Sequence, residues 1–293
     1  MTQADTLEKI MTKRNGVNMG IHPKGIRSPR VICITSGKGG VGKSNIATNL
    51  AYSLAAKGKN VLILDADLNL ANIDVLLGLT PRYNINHVLK GEKSLREVIV
   101  EGPGGFSILP ASSGIMELAH ITEKQKLYFL SEMETVANDL DFLLIDTAAG
   151  INDNVVYFNL TAQERIIVLT PEPTSLTDAY ALIKVLASRH DVKKFRVLVN
   201  QAGSDKEATN VFRKLSDVAD RFLDTISLDF LGFIPTDASL PKAVRKQRLV
   251  SALYPESSSS QSFARLAEEI SGETPEQTPD GNIKFFWKGI VDL

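Results

Sequence analysis

The pattern of short apolar runs constrains this chain more than any other feature of its sequence. Seven segments, at residues 31–36, 61–65, 106–110, 142–146, 166–170, 196–200 and 230–235, are five or six residues long and lack polar alternation. Strands of that kind are covered on both faces, since a strand with one wet face alternates apolar and polar residues. Longer stretches with helical spacing lie at 44–57, 123–137, 175–188 and 207–219. Strands alternating with helices predict an α/β fold, a three-layer sandwich whose central sheet is mostly parallel. Residues 30–271 read as a single domain, with no internal repeat and no interior linker.

Composition narrows the class. A hydrophobic fraction of 43% and a charged fraction of 23% belong to a globular protein with a sizeable core. With 33 basic and 34 acidic residues the net charge is -1, so no overall field draws the chain to nucleic acid or an anionic membrane. The single cysteine, Cys33, lies in an apolar run and reads as a small buried strand residue. A lone thiol forms no internal disulfide and supplies no multi-cysteine cluster. Residues 1–30 contain no apolar signal core, and no apolar stretch approaches the ~20 residues that span a bilayer, so the cytoplasm is the expected compartment.

Directly after the first apolar run comes Gly37-Lys38-Gly39-Gly40-Val41-Gly42-Lys43-Ser44, which fits the phosphate-loop pattern G-x-x-x-x-G-K-[ST]. Glycines let the backbone wrap phosphates closely and aim consecutive N–H groups at them. The helix starting at Lys43, Ser44 and Asn45 adds its positive end to the same spot. The pattern predicts ATP and Mg²⁺ as cofactors, with Lys43 on the β- and γ-phosphates and the Ser44 hydroxyl on the metal. Lys38 is a second cation beside Lys43, which costs repulsion unless an anion lies between them.

Two later strand ends carry matching chemistry. Asp65-Ala66-Asp67-Leu68-Asn69-Leu70-Ala71-Asn72-Ile73-Asp74 reads as a switch segment, and Asp146-Thr147-Ala148-Ala149-Gly150 as a metal-binding strand running into a second switch. Ser44, Asp65 and Asp146 form the expected metal set, with Asp146 acting through the water shell that Mg²⁺ gives up reluctantly. Asp67 is the residue expected to orient the attacking water. Lys38, Lys43 and Asp67 are the catalytic candidates for hydrolysis of ATP to ADP and phosphate, a reaction that asks mainly for positioning and charge stabilisation.

Taken together, Ser36–Ser44, Asp65-Ala66-Asp67, Asn72-Ile73-Asp74, Asp146–Gly150 and Thr170-Pro171-Glu172-Pro173-Thr174-Ser175 resemble the MinD/ParA family of deviant Walker A ATPases over roughly residues 30–270. The resemblance implies a nucleotide-sandwich homodimer in which Lys38 reaches the partner's phosphates. It also places Asn200 on the adenine and the stretch near Pro235 along the base. Ala148 departs from the proline that many MinD proteins carry. Within the family the chain is most similar to the flagellar-number branch (FlhG, FleN, YlxH). That branch implies an FlhF-type signal-recognition GTPase as partner, with flagellar switch or C-ring proteins, or a flagellar transcription regulator, as further partners. Its N-terminal motif D-Q-A-x-x-L-R is matched here by Gln3, Ala4 and Leu7, while Thr2 and Glu8 replace its charged ends.

Outside the body, residues 1–29 read as a partner-binding segment and 272–281 as a polar, proline-rich tether. In residues 282–293, Ile283, Phe286, Trp287, Ile290 and Val291 fall on one helical face. Such a helix resembles the MinD membrane-targeting sequence, and implies peripheral membrane contact at the inner face of the cell membrane, raised by avidity in a dimer. Lys242, Arg245, Lys246 and Arg248 form a basic cluster whose plain reading is a solvated face and whose sharper one is a surface for DNA or a regulator. No aromatic residues interleave with it, which disfavours nucleic acid. Two other readings of the chain stay open, a MinD-type division-site regulator and a ParA-type partitioning ATPase.

Overall fold

The computed structural model describes residues 29–67, 73–110, 123–223 and 226–273. In chain order the elements are β1 (Arg30–Ser36), α1 (Lys43–Ala55), β2 (Val61–Ala66), α2 (Ile73–Leu77), α3 (Ile85–Leu89), α4 (Leu95–Val98), β3 (Val100–Glu101), β4 (Ser107–Leu109), α5 (Glu123–Ala137) and β5 (Phe142–Ala149). They continue as α6 (Asp153–Thr161), β6 (Glu164–Leu169), α7 (Pro173–His190), β7 (Lys194–Ala202), α8 (Asp205–Phe222), β8 (Ser227–Pro235), α9 (Ser239–Arg245), α10 (Val250–Leu253) and α11 (Ser258–Gly272). The strands form an eight-stranded sheet in the order β3-β4-β2-β5-β1-β6-β7-β8. Every neighbouring pair is parallel except β3 and β4, so the α/β sandwich read from the sequence is what the chain forms.

The sheet is buried on both faces because each central strand sends alternate side chains to opposite cores. From β1, Val31 and Cys33 enter a core with α3, α5 and α6, while Ile32 and Ile34 pack with α1 and α11 on the other face. Farther along, Ile167 and Leu169 of β6 and Val197 and Val199 of β7 pack under α7 and α8. Cys33 is fully buried, as its neighbours in the sequence required. No helix among the described residues is long and apolar enough to cross a membrane.

Helix boundaries follow local chemistry. Pro173 opens α7, where its missing N–H is no loss, and Asp191 closes it in the left-handed region at φ 58°. Ser204 caps α8 by accepting from the Glu207 N–H at 3.2 Å. At the strands' N-terminal edge, Arg30 donates to Glu164 at 2.7 and 2.8 Å and to Glu273 at 3.1 Å. Arg196 adds bonds to Glu273 at 2.9 and 2.8 Å and to Glu269 at 3.1 Å. This network pins the end of α11 to the edge of the sheet opposite the phosphate loop.

The structure departs from the sequence reading in its details. The run at 106–110 is only a three-residue strand. A two-residue antiparallel strand, β3, adds an edge that no pattern announced. β5 continues three residues past Asp146, so Thr147, Ala148 and Ala149 are sheet and not loop. Residues 1–28, 68–72, 111–122, 224–225 and 274–293, with the N-terminal motif, Asn69, Asn72 and the amphipathic tail, lie outside the described residues.

Candidate functional site

The phosphate loop joins β1, which lies between β5 and β6 in the sheet, to α1. Gly42 takes the N-cap position of α1 at φ 95°, ψ 21°, and no side chain caps the helix. Its first N–H groups are therefore open to an anion, where the helix dipole also favours negative charge. Glycine is required at this position twice over. Its φ lies where side-chain-bearing residues are strained, and a Cβ there would overlap the Asn200 amide nitrogen. At Gly37 a Cβ would overlap the backbone carbonyl of Asp178, so the loop passes against α7 with no room to spare.

Inside the loop the Lys43 ammonium donates to Ser36 Oγ at 2.8 Å, and Ser36 Oγ donates to the Lys38 carbonyl at 2.7 Å. Lys43 is buried, and burial pulls its pKa below the usual lysine value while nearby Asp146 and Asp67 pull it back up. Lys38 points elsewhere. Its ammonium forms an ion pair with Glu172 and donates to Thr174 Oγ1 at 2.8 Å, both on the segment that opens α7. Gly39, Gly40 and Val41 complete the turn, with Gly40 at φ 78° and Val41 buried beneath it. Ser44 and Asn45 form the first turn of α1, half-buried.

The parallel pairing of β2 with β5 puts Asp65 directly opposite Asp146. Asp146 is 1% exposed, and its Oδ1 has no hydrogen-bond partner in the fold. Burial pushes its pKa up to about 7, against the lowering effect of the Ser44 hydroxyl; Asp65 raises it further and Lys43 lowers it. A buried carboxylate oxygen left open beside a lysine and a serine hydroxyl fits a site for a hydrated cation. Asp65, the third residue of the expected metal set, also accepts from the backbone. Its Oδ1 accepts from the Asp67 N–H at 3.3 Å and its Oδ2 from the Ile73 N–H at 3.2 Å. It thus holds both ends of the first switch segment. Among the described residues no three acidic, histidine or cysteine side chains cluster as a metal cage.

On the other side of β1, Asn200 donates through Nδ2 to the Val41 carbonyl at 2.7 Å, and its Oδ1 accepts from the Gln201 N–H at 2.9 Å. The residue expected on a base is therefore fastened to the phosphate loop itself. Pro235 ends β8 and pairs in register with Ala202, so it stands beside the end of β7 that carries Asn200. The second switch is tied in as well, since the Gly150 N–H donates to the Ser36 carbonyl at 3.0 Å and Thr147 Oγ1 donates to the Ile34 carbonyl at 3.2 Å. Sequence reasoning gave no role to Ser36, Glu172 or Thr174. All three lie in the family motifs, but only the fold brings Glu172 and Thr174 to Lys38.

The comparisons agree with this geometry. The family described as "ParA: NUBPL iron-transfer P-loop NTPase" matches residues 27–271. "Antiactivator FleN" of Pseudomonas aeruginosa is 47% identical over 262 residues, covering 89% of this chain and 93% of that protein. "Flagellum site-determining protein YlxH" of Helicobacter pylori is 35% identical over 292 residues, covering 99% and 98%. The septum site-determining protein MinD of Pyrococcus horikoshii, solved with Mg-ADP, superposes with a TM-score of 0.63 at 26% identity, covering 83% of this chain and 96% of that one. This chain belongs to the ParA/MinD family of P-loop NTPases, enzymes that hydrolyse ATP, and within it to the branch of FleN and YlxH.

Proposed function

We propose that this chain is a regulatory ATPase that dimerises around ATP and sets the number or placement of flagella. The observation that carries the chemical part is Asp146, whose buried, unpartnered Oδ1 faces Lys43 and Ser44 at the uncapped end of α1. Ser44, Asp65 and Asp146 would hold Mg²⁺, which would offset the negative charge that develops on the phosphates. Lys43 and the loop from Gly37 through Gly42 cradle the phosphates. Asp67 orients the attacking water, and Asp65 positions Asp67 through the backbone. In this reading Asn200 and Pro235 contact the base, and Asn200 also braces the Val41 carbonyl.

The dimer rests on Lys38. Held by Glu172 and Thr174 in its own chain, it is one-third exposed and free to exchange those partners for a second molecule's phosphates. The flagellar role rests on the names of the two relatives, FleN and YlxH. Within that role we assign an FlhF-type GTPase, together with flagellar switch proteins or a flagellar transcription regulator, as the readers of the ATP state. Peripheral membrane contact would come from Ile283, Phe286, Trp287 and Ile290. Light scattering with ATP tests the switch. Asp67→Ala should trap the dimer and Lys38→Ala should lose it; a monomer in all cases leaves only a nucleotide-binding domain.

A further inference from the structure

Helix α9 and the loop that joins it to α10 carry a feature that ATP hydrolysis does not use. Lys242, Arg245, Lys246 and Arg248 are all exposed, and none forms an ion pair among the described residues. Residues 238–255 contain no acidic side chain, so this stretch is positive throughout on a chain whose net charge is -1, while in α2 the Asp74 carboxylate accepts from the Val75 N–H at 2.7 Å. The platform beneath it is fixed. Ala243, Leu249 and Val250 are buried, and Asn49 of α1 accepts from the Ser251 N–H at 3.1 Å.

Gln247, just past the end of α9, has φ 53°, the left-handed position that closes the helix, with the Arg248 N–H donating to the Ala243 carbonyl at 3.1 Å. Its Nε2 donates to the Val75 carbonyl of α2 at 2.8 Å, and it packs so closely on Gly78 that a Cβ there would stand 3.2 Å from Gln247 Oε1. The other end of α2 is the Ile73 N–H bonded to Asp65. One short helix thus joins the strand end beside Asp146 to the basic loop. The Val75 side chain, 65% exposed, offers an apolar contact next to the positive charges.

We propose that this face docks an acidic, amphipathic segment of a partner protein, with carboxylates on Lys242, Arg245, Lys246 and Arg248 and an apolar side chain on Val75. The complementarity is local: four cations within seven residues, without aromatic stacking platforms, suit a short peptide better than a nucleic-acid strand. The bond from Gln247 to Val75 makes the docking sensitive to the state of the first switch, a dependence that rests on the switch reading above.

The test uses the full chain and three probes. These are a labelled twenty-residue helical peptide with glutamate and leucine on opposite faces, a twenty-base-pair duplex, and vesicles containing anionic lipid. The peptide should bind, and Lys242→Glu with Lys246→Glu should weaken it at least tenfold, as should Arg245→Glu with Arg248→Glu, while basal ATPase stays unchanged. Val75→Ser should weaken it severalfold. Affinity should differ at least threefold between ATP and ADP, and Gln247→Ala should remove that difference. Peptide binding that ignores charge reversal overturns the proposal, as does charge-dependent binding of duplex or vesicles without binding of the peptide. ATP binding, measured on the same samples with a fluorescent nucleotide, separates the two readings. If nucleotide binds and the peptide does not, the docking face fails alone; if nucleotide does not bind, the switch reading fails.

Discussion

Lys38 and Glu172, 134 residues apart in sequence, form an ion pair within one chain at the rim of the phosphate loop. The lysine that would serve a second molecule is thus held by its own. The side chains are 33% and 62% exposed, and exposed pairs contribute about 0.2–1 kcal/mol. Glu172→Gln is therefore expected to lower the ATP concentration for half-maximal dimerisation by about two- to fivefold, since 1.4 kcal/mol is about tenfold. Sedimentation across an ATP titration reads this directly, and a rise in that concentration would mean Glu172 helps the dimer instead of competing with it.

Gly42→Ala combines a left-handed backbone with an overlap on Asn200. The strain should cost about 1–3 kcal/mol and cut nucleotide binding more than tenfold. Adding Asn200→Ala relieves the overlap but not the φ, so the double variant should recover only part of the loss in a urea titration. Full recovery would show that the overlap alone mattered.

Asp146→Asn should separate stability from binding. A buried carboxylate oxygen without a partner is costly, so its neutral isostere leaves the nucleotide-free protein as stable or more so. The gain in melting temperature given by Mg-ATP should largely vanish. Equal stabilisation of wild type and variant by Mg-ATP would remove Asp146 from the metal site.

Asp237 gives a pH signature away from the nucleotide. It accepts from the Ser259 N–H and Oγ at 3.0 and 2.7 Å and from the Ser239 N–H at 2.7 Å, joining the end of β8 to the start of α11. Burial alone would raise its pKa, but these donors outweigh burial and hold it well below the usual carboxylate range. A depressed folded-state pKa stabilises above the unfolded value near 3.8 and is lost as pH falls through it. Asp237→Ala should therefore cost about 1 kcal/mol at neutral pH, discounted because water shares the site, with the difference shrinking below pH ~4. A gap in urea midpoint that is constant with pH would contradict the role of charge.

The sheet was legible because its central strands are covered on both faces, so runs such as Val31 to Ile34 are apolar without alternation. The β3 edge was not, since two half-exposed residues leave no pattern. The end of β5 was missed because Thr147 and Ala148 look like loop residues, although pairing with β1 and β2 extends the strand. At the site, the phosphate loop could be read because its residues are contiguous. The partners of Lys38, the two backbone amides on Asp65 and the reach of Gln247 to Val75 join distant parts of the chain, and only folding juxtaposes them. Asp65 shows the limit most clearly: its position at the end of a strand was readable, but its bonds to the Asp67 and Ile73 amides were not.

The bond from Asn200 to the Val41 carbonyl spans 159 residues. A ribosome making this chain produces the entire phosphate loop early, together with both aspartates of the strands beside it, but without the side chain that braces the loop. The loop can take its braced shape only after about two thirds of the protein has been made. A product stalled before that point would carry the full motif without the side chain that braces it.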